Sequence, residues 1–260
     1  MEKKITYELL QVKILRIADY QIGRLNPVRA RKIANEWNEN KFMPIMVSYR
    51  DGVYWIVDGQ HRTSGKKMKF GADTLIMCKV IEGLTFEEES FLFATQHVGE
   101  KNIPGILKFN GFVLSKNETA LKIKNIVEDS GYKISKDNHK SDYTIAAIEA
   151  IQYIYDKSNP TILKEVLRLI NDTWYGVSDA LDGVFIKGVY SFANTYYSIG
   201  YDHKRFVKAH TNISPGKIKD DAGNNHTFKD GFTKYGIQMW NHYNNGLRQE
   251  NKLPFKFIGG

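Results

Sequence analysis

Residues 54–63 read Tyr-Trp-Ile-Val-Asp-Gly-Gln-His-Arg-Thr, and their types and spacing could hold an anion. An apolar, β-type run from Val53 to Val57 stops at Asp58-Gly59, and a polar, helix-compatible segment begins at Gln60. A strand, a glycine turn and a helix start bring free backbone N–H groups and the positive end of the helix dipole to one point. Gly59 allows a tight turn and a close backbone approach because it lacks a Cβ. His61 and Arg62 add charge and planar donors where a phosphate would sit. Asp58 admits two roles: an oxygen ligand for Mg²⁺, or a turn residue capping the helix that follows. The plain alternative for the whole stretch is an ordinary strand-to-helix turn with a solvated first turn.

Other chemistries find no support. The seven histidines show no HExxH pattern and no Cys/His ligand spacing, which argues against a structural zinc. There is no GxxxxGK[ST] loop and no GxSxG elbow, so a P-loop and a serine-hydrolase nucleophile are excluded. The single cysteine, Cys78, lies in an apolar run and reads as a buried, inert thiol. The site, if there is one, is built around Asp58 to Thr63.

The elements that must position it follow from patterning. A strand is expected over Leu10–Ile17 and a helix over Val28–Asn40, with Pro27 suited to its start. Ile45–Tyr49 and Val53–Val57 flank Arg50-Asp51-Gly52, a hairpin signal in which Asp-Gly supplies positive φ. The motif helix should run from Gln60 to about Phe70 and end at Gly71. A strand over Thr74–Ile81 should follow, then a helix opened by the capping box Thr85-Phe86-Glu87-Glu88. Beyond Pro104 the apolar period changes to that of helices, over 106–114, 118–129, 143–155, 161–174, 178–198 and 234–247. Residues 214–232, polar and glycine-containing, read as a long loop. A helix-turn-helix over 211–222 is disfavoured, since its second helix would be short and acidic at Asp220-Asp221. The aromatics of this half, among them Tyr190, Phe192, Tyr196, Phe206 and Tyr243, read as core packing rather than a base-stacking surface.

Composition bounds the class. The chain has 260 residues, is 42% hydrophobic and 25% charged, and carries a formal net charge of +8. That is enough apolar content for a core, and the mild positive excess is compatible with nucleic acid or polyphosphate ligands. No apolar run approaches the roughly 20 residues of a membrane span. The N-terminus lacks the apolar segment of a secretion signal, so a cytoplasmic protein with no membrane partner is expected.

The five residues Asp58-Gly59-Gln60-His61-Arg62 resemble the DGQHR-type signature of the ParB/sulfiredoxin superfamily, as found in ParB-like domains of phage and bacterial proteins. Met43 to Val47 resembles the Pro-Ile-x-Val strand ahead of that signature, and Asn26 to Trp37 resembles the N-terminal helix. Gly71 to Val80 and Leu84 to Glu89 resemble the strand and acidic-capped helix behind it. The likeness covers roughly residues 10–100. It implies an α+β fold: a small mixed-sheet, ParB/sulfiredoxin-like nucleotide-binding domain over residues 1–103, followed by an all-α region over 104–260.

The resemblance also implies a nucleoside triphosphate (ATP or CTP) with Mg²⁺. Gly59, Gln60, His61, Arg62 and Thr63 match its phosphate cradle. Gln60 stands where sulfiredoxins place their nucleophilic cysteine, which argues against sulfinic-acid reduction. Two further elements match positions that contact the nucleotide: Gln21 and Arg24 in Tyr20-Gln21-Ile22-Gly23-Arg24, and Gln96 and His97 in the stretch 95–102. Glu100 joins Asp58 as a metal ligand. On this reading Asp58, His61 and Arg62 carry the chemistry. Arg62 stabilises phosphoryl charge, His61 donates to phosphate or acts as acid/base, and Asp58 binds Mg²⁺ or activates a nucleophile. The function implied is an NTP-dependent hydrolase, phosphotransferase or nuclease acting on or near DNA, with a homo-oligomer as a further expectation. The alternative is a non-catalytic DNA- or protein-binding module gated by nucleotide.

Overall fold

The computed structural model describes residues 3–95, 104–223 and 231–257. The chain divides into two units, Met1–Ala120 and Leu121–Gly260. The first is built from β1 (Lys4–Gln11), a 3-10 turn (Val12–Ile14), β2 (Leu15–Ile17), α1 (Pro27–Asn35), β3 (Ile45–Arg50), β4 (Val53–Asp58), α2 (Gln60–Phe70), β5 (Leu75–Glu82), α3 (Phe86–Thr95) and α4 (Gly105–Leu114). The strands form one mixed sheet in the order β1-β5-β3-β4-β2. Pairing is antiparallel for β1–β5 and β3–β4, and parallel for β5–β3 and β4–β2.

β1 and β2 are opposite edges of this sheet, yet only Val12–Ile14 joins them. Four Cα steps reach at most ~15 Å, whereas the edges of a flat five-stranded sheet lie ~19 Å apart. The sheet must therefore curl. It does so around a core that includes Leu10, Val12, Leu15, Val47, Ile56 and Val80. The link thus places one of its own apolar residues, Val12, inside the curve it forces. Cys78 belongs to the same core, fully buried. Burial pushes its thiol up to about 12, so it is inert.

Local signals set most boundaries. The β3–β4 turn has Asp51 at φ 54° and Gly52 at φ 76°, the double positive φ of a type I′ hairpin. α2 spans Gln60–Phe70 as expected, closed by Gly71 at φ 86°. The capping box forms reciprocally: the Thr85 N–H donates to Glu88 Oε2 at 3.0 Å and the Glu88 N–H to Thr85 Oγ1 at 3.2 Å. α1 begins on the Asn26 cap, whose side chain accepts from the Arg29 N–H at 3.0 Å. It stops at Asn35, five residues short of the expected end, and Trp37 beyond it stacks on Phe42 at 4.6 Å. The strand expected over Leu10–Ile17 is also different. Pairing starts at Lys4 and breaks at the 3-10 turn, because the chain has to leave one sheet edge for the other.

In the second unit α5 (Glu118–Asp129), which begins before the boundary, leads to a two-residue parallel ladder of β6 (Lys133–Ile134) and β7 (Thr144–Ile145). α6 (Ile148–Lys157), α7 (Pro160–Trp174), α8 (Gly183–Tyr196), α9 (His203–His210), α10 (Pro215–Gly223) and α11 (Gly231–Asn244) follow. α8 packs against α6, α7 and α11. Phe192, Tyr196 and Phe206 are fully buried, as core packing requires. The fold is α+β, with eleven α-helices among the described residues. Two expectations are corrected here. Residues 143–147 are not helical, since Thr144–Ile145 pair with Lys133–Ile134. The loop expected over 214–232 contains α10, started by Ser214, whose Oγ accepts from the Lys217 N–H at 3.1 Å. No helix among the described residues is long and apolar enough to cross a membrane.

α1 and α2 pack closely because Gly65 has no side chain: a Cβ there would lie 2.8 Å from Ile33 Cγ2 and 2.9 Å from the Ala30 carbonyl oxygen. One neighbour is helix backbone and the other a β-branched side chain on the facing helix, so neither can yield cheaply. Gly65→Ala should lower folding stability by about 1–3 kcal/mol despite its better helix propensity, read as a reduced urea midpoint with an unchanged m-value.

Candidate functional site

The turn from β4 to α2 is held open by a missing side chain. Gly59 sits at φ 100°, and a Cβ there would be 2.3 Å from Ile45 Cγ2. It is the residue before the first helical turn, and no described side chain caps that turn. The first intrahelical bond closes from the Thr63 N–H to the Gly59 carbonyl at 2.8 Å. The N–H groups of Gln60, His61 and Arg62 therefore lie outside the helical ladder, at the positive end of the dipole.

Two guanidinium groups, those of Arg62 and Arg24, meet Asp58 at this end. Arg62, one turn into α2, donates from Nη2 to Asp58 Oδ2 at 2.7 Å and from Nη1 to the carbonyls of Met43 and Pro44. Arg24 Nη2 lies 3.8 Å from Asp58 Oδ1, and its guanidinium sits 5.2 Å from the centroid of the Phe93 ring. Burial, with the charge of Arg29 adding to it, lowers the basicity of both Arg24 and His61. Among the described residues Asp58 is the carboxylate that Arg24 and Arg62 share.

Arg24 is brought here by the parallel pairing of β2 with β4, which runs the following segment along the end of β4. A 3-10 turn at Asp19–Gln21 is pinned there. Gln21 donates to the carbonyls of Ile56 and Val57, and the Tyr20 hydroxyl lies 3.4 Å from both the Ile56 carbonyl and Glu89 Oε2. Glu89 is fully buried and ion-paired to Arg50 at 2.9 Å. Burial and the facing carboxylate drive the Tyr20 phenol far up from its ordinary value.

His61 is committed to the scaffold. Its Nε2 accepts from the Asn26 N–H at 3.0 Å, which leaves the ring proton on Nδ1. Burial, then the charges of Arg29 and Arg24, lower its pKa to about 4. At neutral pH it is an uncharged imidazole whose Nδ1–H is its only donor. Thr63 is likewise occupied, its hydroxyl donating to the Gly59 carbonyl at 3.1 Å. Gln60 is buried, and its side-chain oxygen has no partner among the described residues; the same holds for Gln21 Oε1.

The fold thus gathers Gln21, Arg24, Asp58, Gly59, Gln60, His61, Arg62 and Thr63 around one helix start. Gln96, His97 and Glu100 lie outside the described residues. Sequence reasoning missed Asn26, Met43 and Pro44, whose backbone groups hold His61 and Arg62; no side-chain signal reports such contacts. One cleft, of about 650 Å³, is bordered by other residues, among them Trp240, His242 and Phe255.

The uncapped N–H groups and the arginines fit an anionic group, and the orphaned Gln60 oxygen fits a ligand hydroxyl, amino group or metal-bound water. Among the described residues there is no group of three or more His, Cys, Asp or Glu able to hold an ion. Mg²⁺ commonly uses one or two carboxylates and takes its remaining oxygens from substrate phosphates and water.

A family model described as "Family of unknown function (DUF6551)" matches residues 17–257. No curated protein matches the chain. Among solved structures, the chain is similar to the C2221 form of a Pnob8-like ParB-N domain at TM-score 0.44 and 14% identity, covering 94% of this chain and 99% of that one. It is also similar to a pNOB8-like ParB N-domain at TM-score 0.41 and 15% identity, covering 84% and 88%.

The depressed pKa of His61 has a consequence for stability. Folding favours the neutral ring, so its contribution is complete above about pH 6.5 and is lost as pH falls toward about 4. His210, lowered to about 4 by burial, acts in the same window. Between pH 7 and 5 each should cost on the order of 2 kcal/mol. Urea unfolding at the two pH values should show a smaller drop for His61→Gln than for the parent.

Proposed function

The chain belongs to DUF6551, a family of unknown function, and we propose that it binds the phosphates of a nucleotide at the start of α2. One observation carries this reading: an uncapped helix N-terminus, held open by Gly59, has the Arg24 and Arg62 guanidinium groups gathered on Asp58 beside it. The likeness of residues 58–62 to the ParB/sulfiredoxin signature supports a nucleoside triphosphate, ATP or CTP, as the ligand.

In this reading the backbone N–H groups of Gln60, His61 and Arg62 donate to phosphate oxygens. Arg24 and Arg29 neutralise charge at the rim. Arg62 already spans Asp58 and the Met43 carbonyl, so it holds the cradle in shape and supplies charge without leaving its partners. Thr63 contributes no hydroxyl. Mg²⁺ arriving with the phosphates would use Asp58, and the nucleotide and water would complete its oxygen shell. Gln60 offers its buried side-chain oxygen to a ligand donor.

Turnover is a separate matter. Asp58 is clamped by arginines, His61 is neutral with its basic nitrogen occupied, and the Gln60 amide does not titrate. Hydrolysis, phosphoryl transfer or nuclease action on or near DNA would need Asp58 to exchange an arginine for a water or hydroxyl. Binding should therefore be firm and turnover slow, which favours a nucleotide-gated DNA- or protein-binding module over a fast hydrolase.

Calorimetric titration with ATP and CTP, with and without Mg²⁺, tests the binding step. Arg62→Ala and Arg24→Ala should each weaken nucleotide by about 1.5–3 kcal/mol, roughly tenfold to 150-fold in Kd, in variants that still melt cooperatively. Unchanged affinity in both would refute the cradle. Phosphate release should be slow in the parent and slower still in Asp58→Asn. Fast release that survives Asp58→Asn would locate the chemistry elsewhere.

A further inference from the structure

β1 leaves an edge with which no other described strand pairs. It is a terminal strand of the sheet, eight residues long, and pairs with β5 over its whole length without a register shift. The opposite edge of a terminal strand presents its outward N–H and C=O groups unpaired, and proteins normally blunt such edges with bulges, prolines or brevity. β1 has none of these. On one face it exposes Ile5 at 53%, Tyr7 at 64% and Leu9 at 56%, and their β5 neighbours Leu75 and Met77 are exposed as well. Contiguous apolar surface of this kind marks an interaction site.

The strand's own sequence says what fits. Read antiparallel to itself about Thr6, Lys4-Ile5-Thr6-Tyr7-Glu8 sets Lys4 opposite Glu8, Ile5 opposite Tyr7 and Thr6 opposite Thr6. Every pair joins side chains of the same face, and each suits cross-strand contact: an opposite-charge pair, an aromatic on a β-branched residue, and two threonines. Lys4 already lies 3.8 Å from Glu82 on β5, so a second copy's Glu8 would place it between two carboxylates. Centring one residue later would set Tyr7 on Tyr7 and leave Lys4 facing Leu10, losing the charge match. Beside Ile5 lies an apolar cleft of about 540 Å³, bordered by Ile81, Leu84, Phe91 and Leu92. The favoured register brings the second copy's Tyr7 ring to Ile5, at the mouth of this cleft.

We infer that β1 is the pairing edge of a homodimer, in which two copies join antiparallel about a two-fold axis at Thr6 and merge their sheets. A two-fold axis makes the contact isologous, so pairing closes at two copies and does not run on into fibres.

The full-length chain tests this by sedimentation equilibrium and by cysteine cross-linking. The parent should have the mass of a dimer. Under mild oxidation Thr6→Cys should form a disulfide-linked dimer, because residues on the axis directly face each other, while Tyr7→Cys should not; the one native cysteine is buried. Glu8→Lys, which sets lysine against lysine, should weaken the dimer about tenfold, and the swap Lys4→Glu with Glu8→Lys should restore it. Melts followed by circular dichroism establish that each variant is folded. A parent chain that stays monomeric at every concentration would overturn the proposal. So would cross-linking through Tyr7→Cys in place of Thr6→Cys, or a folded Glu8→Lys variant that dimerises as tightly as the parent.

Discussion

The organisation of the first unit depends on the absence of one side chain, at Gly59. The end of β4 approaches Ile45 at the start of β3 so closely that even a methyl group would collide with it, and the backbone there occupies the left-handed region. An L-residue would meet two penalties at once, about 1–2 kcal/mol of backbone strain and a clash that only movement of β3 could relieve. The polar contacts nearby are weaker constraints. The Arg62–Asp58 pair is partly exposed, and such pairs contribute about 1 kcal/mol or less. Sterics therefore set the turn, and electrostatics decorate it. Once the turn is made, Arg62 reaches the carbonyls ahead of β3, His61 reaches the backbone ahead of α1, and three separate stretches of chain share one small site.

This hierarchy explains which features could be read from the residues in order. The bounds of α2, the Asp51-Gly52 hairpin and the Thr85–Glu88 box are all set by groups within a few positions of one another, and each appears as expected. The meeting of Arg24 with the Asp58–Arg62 motif was also legible as a neighbourhood. Its internal wiring was not. His61 is held from Asn26 and Arg62 from Met43, backbone partners that leave no mark on composition or period. β1 was misjudged for a related reason. Its apolar alternation belongs to an uncovered face, so half of its pattern does not report burial. α10 was misread because its acidic and glycine content outweighed a good start signal at Ser214-Pro215, and because the face it buries, Ile218 and Ala222, is small.

Behind the site lies a second polar layer with no counterpart at the surface. Glu89 is fully enclosed, and Arg50 and Tyr20 are the partners that make its charge tolerable. Arg50 also lies over the rings of Trp55 and Phe86 at 5.5 and 5.6 Å. Removing Arg50 would strand the enclosed Glu89 without its ion-pair partner, at a cost of about 3–5 kcal/mol. The pair's effect is geometric. It ties α3 to the turn that carries Gln21, and so fixes where Arg24 stands.

The sheet's strand order also bears on how the chain acquires its structure. β1 is made before its partner β5, which lies more than sixty residues later. Closing that distance precedes any reward from pairing, so this contact belongs late in the sequence of folding events. Until β5 emerges during synthesis, the first strand has no partner within its own chain and carries its apolar side chains unprotected. Neighbouring nascent chains on one message would present the same self-matching segment to each other, a competition between assembly and premature association that the rate of β5 docking decides.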